Sequence, residues 1–153
     1  MLFVDLSTRN HGLSMGSTHV WLGTPHEPRI KCAVGNCCMP SYSSIERLRL
    51  LHCFPNFIPG WRQPGRDIPH AVAEIAPRPL HLNFGELDSG SPVEEVREGV
   101  DVIAAAFEAA GATENFTAYI ENGSGHVLSD EMWARTLAFF QKHLGLARAT
   151  STL

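Results

Sequence analysis

The sequence predicts an α/β fold in which helices cover both faces of a mostly parallel sheet, giving three layers. Short apolar runs of strand length alternate along the chain with longer segments of helical periodicity, and this alternation is typical of βαβ units. The chain has 153 residues, of which 44% are hydrophobic and 18% are charged. These proportions are typical of a single globular domain with a sizeable core. We expect that domain to span residues 1–146, with a flexible tail at 147–153.

Three strands are predicted from apolar runs that are followed by turn residues, at positions 30–34, 80–84 and 116–120. A glycine-rich turn at 12–16 comes before all of them and should lead into the first helix. Because residues 7–11 are mostly polar, only residues 2–6 are apolar enough to pair with the sheet, so we expect a displaced or ragged strand before this turn. Ligands of parallel sheets bind beyond the carboxyl ends of the strands, which directs attention to four loops. They are 12–16, 35–42, 85–91 and 121–128.

Two helices are specified best, one on each side of the third predicted strand. The first is predicted to be capped by Ser91 and to end at Gly111. Its apolar residues recur at helical spacing: Val93, Val96, Val100, Ile103, Ala104 and Phe107. Ser129 is predicted to cap the second helix, and Gly145 to end it. The apolar stripe predicted for the second helix comprises Met132, Trp133, Leu137, Phe140 and Leu144.

Composition and charge exclude several classes of function. Twelve Lys and Arg against sixteen Asp and Glu give a net charge of −4, and no run of like charge offers a nucleic-acid footprint. No apolar stretch approaches the roughly 20 residues of a membrane span, and no signal peptide is recognisable, so a cytoplasmic protein without membrane contact is expected. Metal-binding spacings are absent from the histidines and cysteines, so no metal is predicted. The cysteines are expected to be buried free thiols: Cys32, Cys37, Cys38 and Cys53.

The pentapeptide Gly12-Leu-Ser14-Met-Gly16 has the form Gly-x-Ser-x-Gly. In one large group of enzymes this pattern presents a nucleophilic serine on a sharp turn between a strand and a helix. Small residues two places on either side of the serine let the backbone turn tightly. The alternative is that Ser14 is an ordinary helix N-cap beside flexible glycines.

Two further loops supply a carboxylate and an imidazole. Of Glu86 and Asp88, the latter lies further past its strand and is preferred as the residue that orients a histidine, although a turn aspartate is the alternative. Gly123-Ser-Gly leads to His126, a side chain suited to accepting a proton near neutral pH. Surface or core roles are expected for most of the other seven histidines. Ser14, Asp88 and His126 thus follow one another in the order nucleophile, acid and base.

With these motifs the chain resembles the α/β-hydrolase superfamily, and within it the serine esterases similar to dienelactone hydrolase and acetyl xylan esterase. The resemblance rests on GLSMG, on IAPRPLHLNFGELDSGSP at 75–92 and on GSGHVLSDEMWARTLAFFQKHL at 123–144, and it covers residues 12 to about 145. It implies hydrolysis of a small-molecule ester through an acyl-enzyme, without a cofactor. Ser14 would be the nucleophile, His126 the base, Asp88 its partner and the Met15 N–H an oxyanion donor.

The resemblance also carries expectations about the cap and the sheet edge. Phe54, Phe57 and Trp61 lie where the family often has cap elements and would line a substrate pocket, although a Pro-rich surface loop is the alternative. Members of the family have several strands before the serine turn, so we expect a partial, N-terminally truncated fold. Its bare sheet edge would favour a homodimer. Other readings are an inert fragment that acts only as an association module, and a serine peptidase of the same fold.

Overall fold

Four parallel strands in the order β1-β2-β3-β4 form the sheet of the computed structural model, which describes residues 9–50, 52 and 63–145. The strands are β1 (Arg9–Leu13), β2 (Cys32–Asn36), β3 (Leu80–Gly85) and β4 (Phe116–Glu121). The helices are α1 (Met15–Gly23), α2 (Tyr42–Leu48), α3 (Ile68–Ala73), α4 (Val93–Ala109) and α5 (Asp130–Leu144), and a 3-10 turn spans Thr113–Asn115. The predicted α/β fold with a mostly parallel sheet is confirmed.

The register of the strands brings the predicted site loops to one edge of the sheet. Leu13 at the end of β1 pairs with Asn36 at the end of β2, and Asn36 pairs with Asn83 near the end of β3. Strand β2 begins two residues later than predicted, because the Ile30 N–H donates to the Glu27 carbonyl oxygen and Ile30 therefore belongs to the preceding turn. The carboxyl ends of β1, β2 and β3 consequently lie side by side.

Side chains that alternate along β2 and β3 separate two cores and produce the three predicted layers. Apolar residues of β3 pack on one face of the sheet, against helices α1 to α4; they are Leu80, Leu82 and Phe84. On the other face, Cys32 and Val34 of β2 pack against Phe139 and Phe140 of α5. Both faces of the central strands are therefore covered, as expected of a parallel sheet.

Strand β1 contradicts the prediction of a displaced or ragged strand before Ser14. Residues 9–13 pair with β2 along the whole strand and lead directly into the serine turn. The polar side chains are accommodated by aromatic residues of α5: the His11 ring lies 5.4 Å from the Trp133 ring, and the Arg9 guanidinium lies over Phe140. Because a strand ladder is made by backbone groups, polar side chains with apolar bodies can serve in it. The apolar residues 2–6 lie outside the described part of the chain.

The helix predictions are confirmed in position and corrected in detail. Ser129 caps α5 by accepting a hydrogen bond from the Met132 N–H at 3.1 Å, and Gly145 ends the helix in the left-handed conformation. Ser91 does not cap α4, because its hydroxyl instead accepts a hydrogen bond from the Met39 N–H at 3.3 Å. Two residues of the predicted α5 stripe are 41% and 42% exposed, Trp133 and Leu137. The buried positions of α5 are Met132, Thr136, Phe139 and Phe140.

Three of the cysteines are buried free thiols, as predicted: Cys32, Cys37 and Cys38. Cys53 lies outside the described residues, as does the predicted tail at 147–153. In the described ranges, no helix is both long and apolar enough to cross a membrane. The same ranges contain no group of three His, Cys, Asp or Glu side chains arranged to hold a metal ion.

Candidate active site

Ser14 is the single residue that connects β1 to α1, and its backbone has φ 57° and ψ −120°. This conformation is rare for a residue with a side chain and persists only where its surroundings enforce it. The Ser14 N–H donates to the Asn36 carbonyl at 2.9 Å, and the Ser14 carbonyl accepts from the Ser17 and Thr18 N–H groups at 2.9 and 3.2 Å. The Ser14 side chain makes no capping bond, which contradicts the alternative of an ordinary N-cap.

The glycines of the pentapeptide make unequal contributions to this turn. A Cβ atom on Gly12 would lie 2.3 Å from the Gly16 carbonyl carbon and 2.4 Å from its oxygen, so the two backbone segments touch there. A Cβ atom on Gly16 would meet nothing within 4 Å. The tight turn therefore requires glycine at position 12, whereas position 16 has space for a side chain.

Substituting Gly12 with alanine is expected to lower the free energy of unfolding by about 1–3 kcal/mol, the usual cost of forcing a methyl group into packed backbone. The Gly16→Ala variant is the matched control, because it adds the same methyl group to the same turn in open space. Urea denaturation of both variants measures the difference. A Gly12→Ala protein as stable as Gly16→Ala would contradict this explanation of the motif.

The structure brings Ser14, His126 and Asp88 together in one hydrogen-bonded row. His126 Nε2 lies 2.8 Å from Ser14 Oγ, and His126 Nδ1 lies 2.7 Å from Asp88 Oδ2. Since a carboxylate can only accept, the ring proton belongs on Nδ1, and Nε2 is left to accept the Ser14 hydroxyl proton. The Asp88 side chain is 2% exposed and that of His126 46%, so the row runs from the protein interior to its surface.

In the loop between β3 and α4, Asp88 is both a turn residue and the partner of His126. Asp88 Oδ1 accepts a hydrogen bond from the Gly90 N–H at 2.9 Å and so shapes the turn, while Oδ2 faces His126. Glu86, the other candidate, instead accepts from the Gly123 N–H at 2.9 Å and anchors the loop that carries His126. One carboxylate orients the imidazole and the other holds its loop.

The loop that carries His126 is fastened directly to the end of β3. A Cβ atom on Gly85 would lie 2.1 Å from the Gly125 carbonyl oxygen, which shows how closely the two backbones approach. The Leu87 N–H donates to the Ser124 carbonyl at 2.8 Å, and the Cys37 thiol donates to the Val127 carbonyl at 3.0 Å. The backbone on both sides of His126 is therefore held by residues that follow β2 and β3.

Besides Ser14, the site has a second side chain with a nucleophilic atom nearby, the thiol of Cys37. Burial, together with the nearby Asp88 carboxylate, raises the pKa of the Cys37 thiol to about 11. A thiol with this pKa is protonated at neutral pH and therefore a poor nucleophile. The Ser14 hydroxyl, by contrast, is in contact with a base, the imidazole of His126.

A cavity of about 260 Å³ opens in front of this row. It is lined by Ser14, Cys38, His52, Asp88, Ser89, Gly90 and His126. His52 was not predicted to belong to the site. Its Nε2 contacts the Gly90 carbonyl oxygen, and nothing in the sequence around His52 indicates this contact. Phe54, Phe57 and Trp61, predicted to line a substrate pocket, lie outside the described residues.

Met15, the predicted oxyanion donor, is the first residue of α1 and is 47% exposed. The first N–H groups of a helix have no partner within it and carry the positive end of the helix dipole. The Met15 N–H therefore lies directly after Ser14 at a position suited to negative charge.

No protein-family model and no curated protein sequence matches the chain. Solved structures do match it, among them structures with 13–18% sequence identity. A methylesterase aligns over 90% of this chain and 30% of its own, with a TM-score of 0.69 and 18% identity. A carbohydrate esterase family 15 glucuronoyl esterase from Caldicellulosiruptor kristjansonii aligns over 91% and 44%, with a TM-score of 0.71 and 15% identity.

A third match is an α/β-hydrolase from Penicillium sp. sh18, which aligns over 90% of this chain and 64% of its own, with a TM-score of 0.59 and 15% identity. The chain spans less than two thirds of the length of each of these proteins. At these identities the likeness concerns the fold, and it covers nearly all of this chain. The protein therefore has the α/β-hydrolase fold in part.

Proposed function

We propose that the chain carries the catalytic residues of a serine esterase, with Ser14 as nucleophile, His126 as general base and acid, and Asp88 as the residue that orients His126. The observation that carries this proposal is the row of two hydrogen bonds, 2.8 Å from Ser14 to His126 and 2.7 Å from His126 to Asp88, at the wall of a cavity. A serine becomes a useful nucleophile when such a base accepts its proton.

Two half-reactions follow from this arrangement. Ser14 Oγ attacks the carbonyl carbon of the ester while its proton passes to His126 Nε2, and the alcohol then leaves with that proton, so that an acyl-serine remains. Water next gives a proton to Nε2 and attacks the acyl carbon, and Ser14 recovers the proton as the acid is released. Throughout, the Asp88 carboxylate stabilises the imidazolium through Nδ1–H.

Negative charge develops on the carbonyl oxygen in both half-reactions. The Met15 N–H, at the positive end of α1, is the proposed donor to this oxygen. Removing one such donor in other hydrolases costs about 10²–10³ in rate, so the contribution is large. Because Met15 follows Ser14 directly in the chain, the proposed donor and the proposed nucleophile lie on consecutive residues.

A small ester is the substrate class that fits best. The cavity of about 260 Å³ is below the range of roughly 300–1,000 Å³ that is usual for drug-sized ligands. Two proteins that share the fold are described as a methylesterase and a glucuronoyl esterase, and this supports an ester as the substrate. Proton transfer and acyl transfer need only Ser14, His126 and Asp88, so the proposed reaction uses no cofactor.

Covalent labelling with a fluorophosphonate probe tests the proposal. The expected result is one phosphonylated residue, located at Ser14 by peptide mass spectrometry. Ser17, one turn further along α1 and donating to the Cys38 carbonyl, is an internal control that should not react. A protein without label would favour the alternative of an inert association module, and a label on another residue would contradict the assignment of Ser14 as the nucleophile.

A further inference from the structure

A row of polar side chains crosses the sheet beneath the serine turn, on the face covered by α5, and runs from an exposed residue on β4 to buried residues on β3 and β2. It joins Thr117 on β4, His81 and Asn83 on β3, and Asn36 on β2. Asn36 and Asn83 are fully buried, and His81 is 5% exposed. Polar groups at such depth are costly unless they are hydrogen-bonded, so the row calls for a specific explanation.

The hydrogen bonds of the row have one consistent direction. Burial lowers the pKa of His81, so its ring is neutral, with one nitrogen that donates and one that accepts. Nε2–H donates to Asn83 Oδ1 at 2.9 Å, and Nδ1 accordingly accepts from the Thr117 hydroxyl at 2.8 Å. Asn83 Nδ2 donates in turn to Asn36 Oδ1 at 2.8 Å. Each bond therefore polarises the next one toward Asn36.

The row ends on the backbone of the serine turn. Asn36 Nδ2 donates to the Gly12 carbonyl at 3.0 Å, and the Asn36 carbonyl accepts from the Ser14 N–H at 2.9 Å. Asn36 thus binds the residues on both sides of Leu13, and one of these is Ser14, whose φ is 57°. Only one orientation of its amide can accept from Asn83 and donate to Gly12 together.

We propose that Asn36 is a positioning residue for Ser14, held in its working orientation by Asn83 and His81. The inference rests on the proposed function and deepens it, because it identifies what keeps the nucleophile aligned with His126. Backbone strain at a functional residue persists only when neighbouring contacts enforce it. Asn36 provides two such contacts, one from its side chain and one from its main chain.

The test compares fluorophosphonate labelling and p-nitrophenyl acetate hydrolysis in Asn36→Ala and Thr136→Val. Thr136 is buried and accepts a branch of the same network from Asn83 at 3.2 Å, but it does not contact the serine turn. In Asn36→Ala we expect kcat and the labelling rate to fall about 10- to 100-fold, with KM within about twofold, because misplacing the nucleophile affects chemistry more than binding. Thr136→Val should stay within about twofold of the wild type in all three.

Rates are normalised to the folded fraction measured by circular dichroism. Asn36→Leu, which keeps a side chain of similar shape but can neither accept from Asn83 nor donate to Gly12, replaces the alanine variant if that variant fails to fold. Equal rates in the wild type and the Asn36 variant, or an equal loss in Thr136→Val, would overturn the inference while leaving the proposed function standing. A wild type that neither reacts with the probe nor hydrolyses the ester would overturn both.

Discussion

Replacing Ser14 with alanine is expected to lower kcat for p-nitrophenyl acetate hydrolysis by about 10⁴- to 10⁶-fold, the loss typical of removing the nucleophile of a serine hydrolase. The hydroxyl that His126 Nε2 contacts at 2.8 Å would be gone, so no acyl-enzyme could form. The fold should survive, because the turn is held by backbone bonds from Asn36, Ser17 and Thr18 rather than by the Ser14 side chain. Steady-state kinetics and thermal unfolding measure the two effects separately.

Ser17→Ala is the matched control for this substitution. Both variants remove one hydroxyl from the same turn of chain, but the Ser17 hydroxyl is buried and donates to the Cys38 carbonyl. We expect Ser17→Ala to lose stability, by about 1 kcal/mol for a broken hydrogen bond, and to keep its kcat within a few-fold. A Ser14→Ala protein that hydrolyses the ester as fast as Ser17→Ala would show that Ser14 is not the nucleophile.

Replacing Asp88 with asparagine is expected to lower kcat by about 10⁴-fold at neutral pH, the cost measured for this change in a serine protease. An asparagine side chain that donates toward His126 Nδ1 would move the ring proton to Nε2, where it blocks acceptance of the Ser14 proton. The geometry of the loop should change little, since asparagine can still accept from the Gly90 N–H.

Glu86→Gln tests whether any carboxylate near His126 has the same effect. Glu86 accepts from the Gly123 N–H on the loop that carries His126, but it does not contact the ring. A glutamine oxygen can keep this bond, so kcat should change by less than about tenfold. If Glu86→Gln lost as much kcat as Asp88→Asn, the assignment of Asp88 to His126 would be wrong.

The fold could be predicted because its elements are local. Strand-length apolar runs predicted β3 and β4, and helical periodicity with a serine cap and a terminal glycine predicted α5. Strand β1 could not be predicted from apolar content, because its polar residues are accommodated by aromatic rings of a helix that begins more than 100 residues later in sequence. The prediction that Ser91 caps α4 was wrong for a similar reason, because the Ser91 hydroxyl accepts a hydrogen bond from the Met39 N–H, which is distant in sequence.

The candidate site divides in the same way. Ser14, Asp88 and His126 could be found because each follows a strand and is marked by neighbouring glycines, and the chain order of the three is itself informative. Asn36 and Asn83 carry no such mark. Asn36 is the last residue of β2, and Asn83 lies near the end of β3, where a polar residue is easily taken for the start of a turn. Only the register of β2 against β3 shows that their amides meet.

The formation of an acyl-enzyme on Ser14 is the central claim, and trapping it is the most direct test. Wild-type protein is mixed with p-nitrophenyl acetate, quenched in acid within the first turnover, digested and analysed by mass spectrometry. The predicted result is one acetyl group on the peptide that contains Ser14, formed together with a burst of p-nitrophenol and absent from Ser14→Ala. Turnover without an acetylated Ser14, or an acetyl group that persists in the Ser14→Ala protein, would contradict the account.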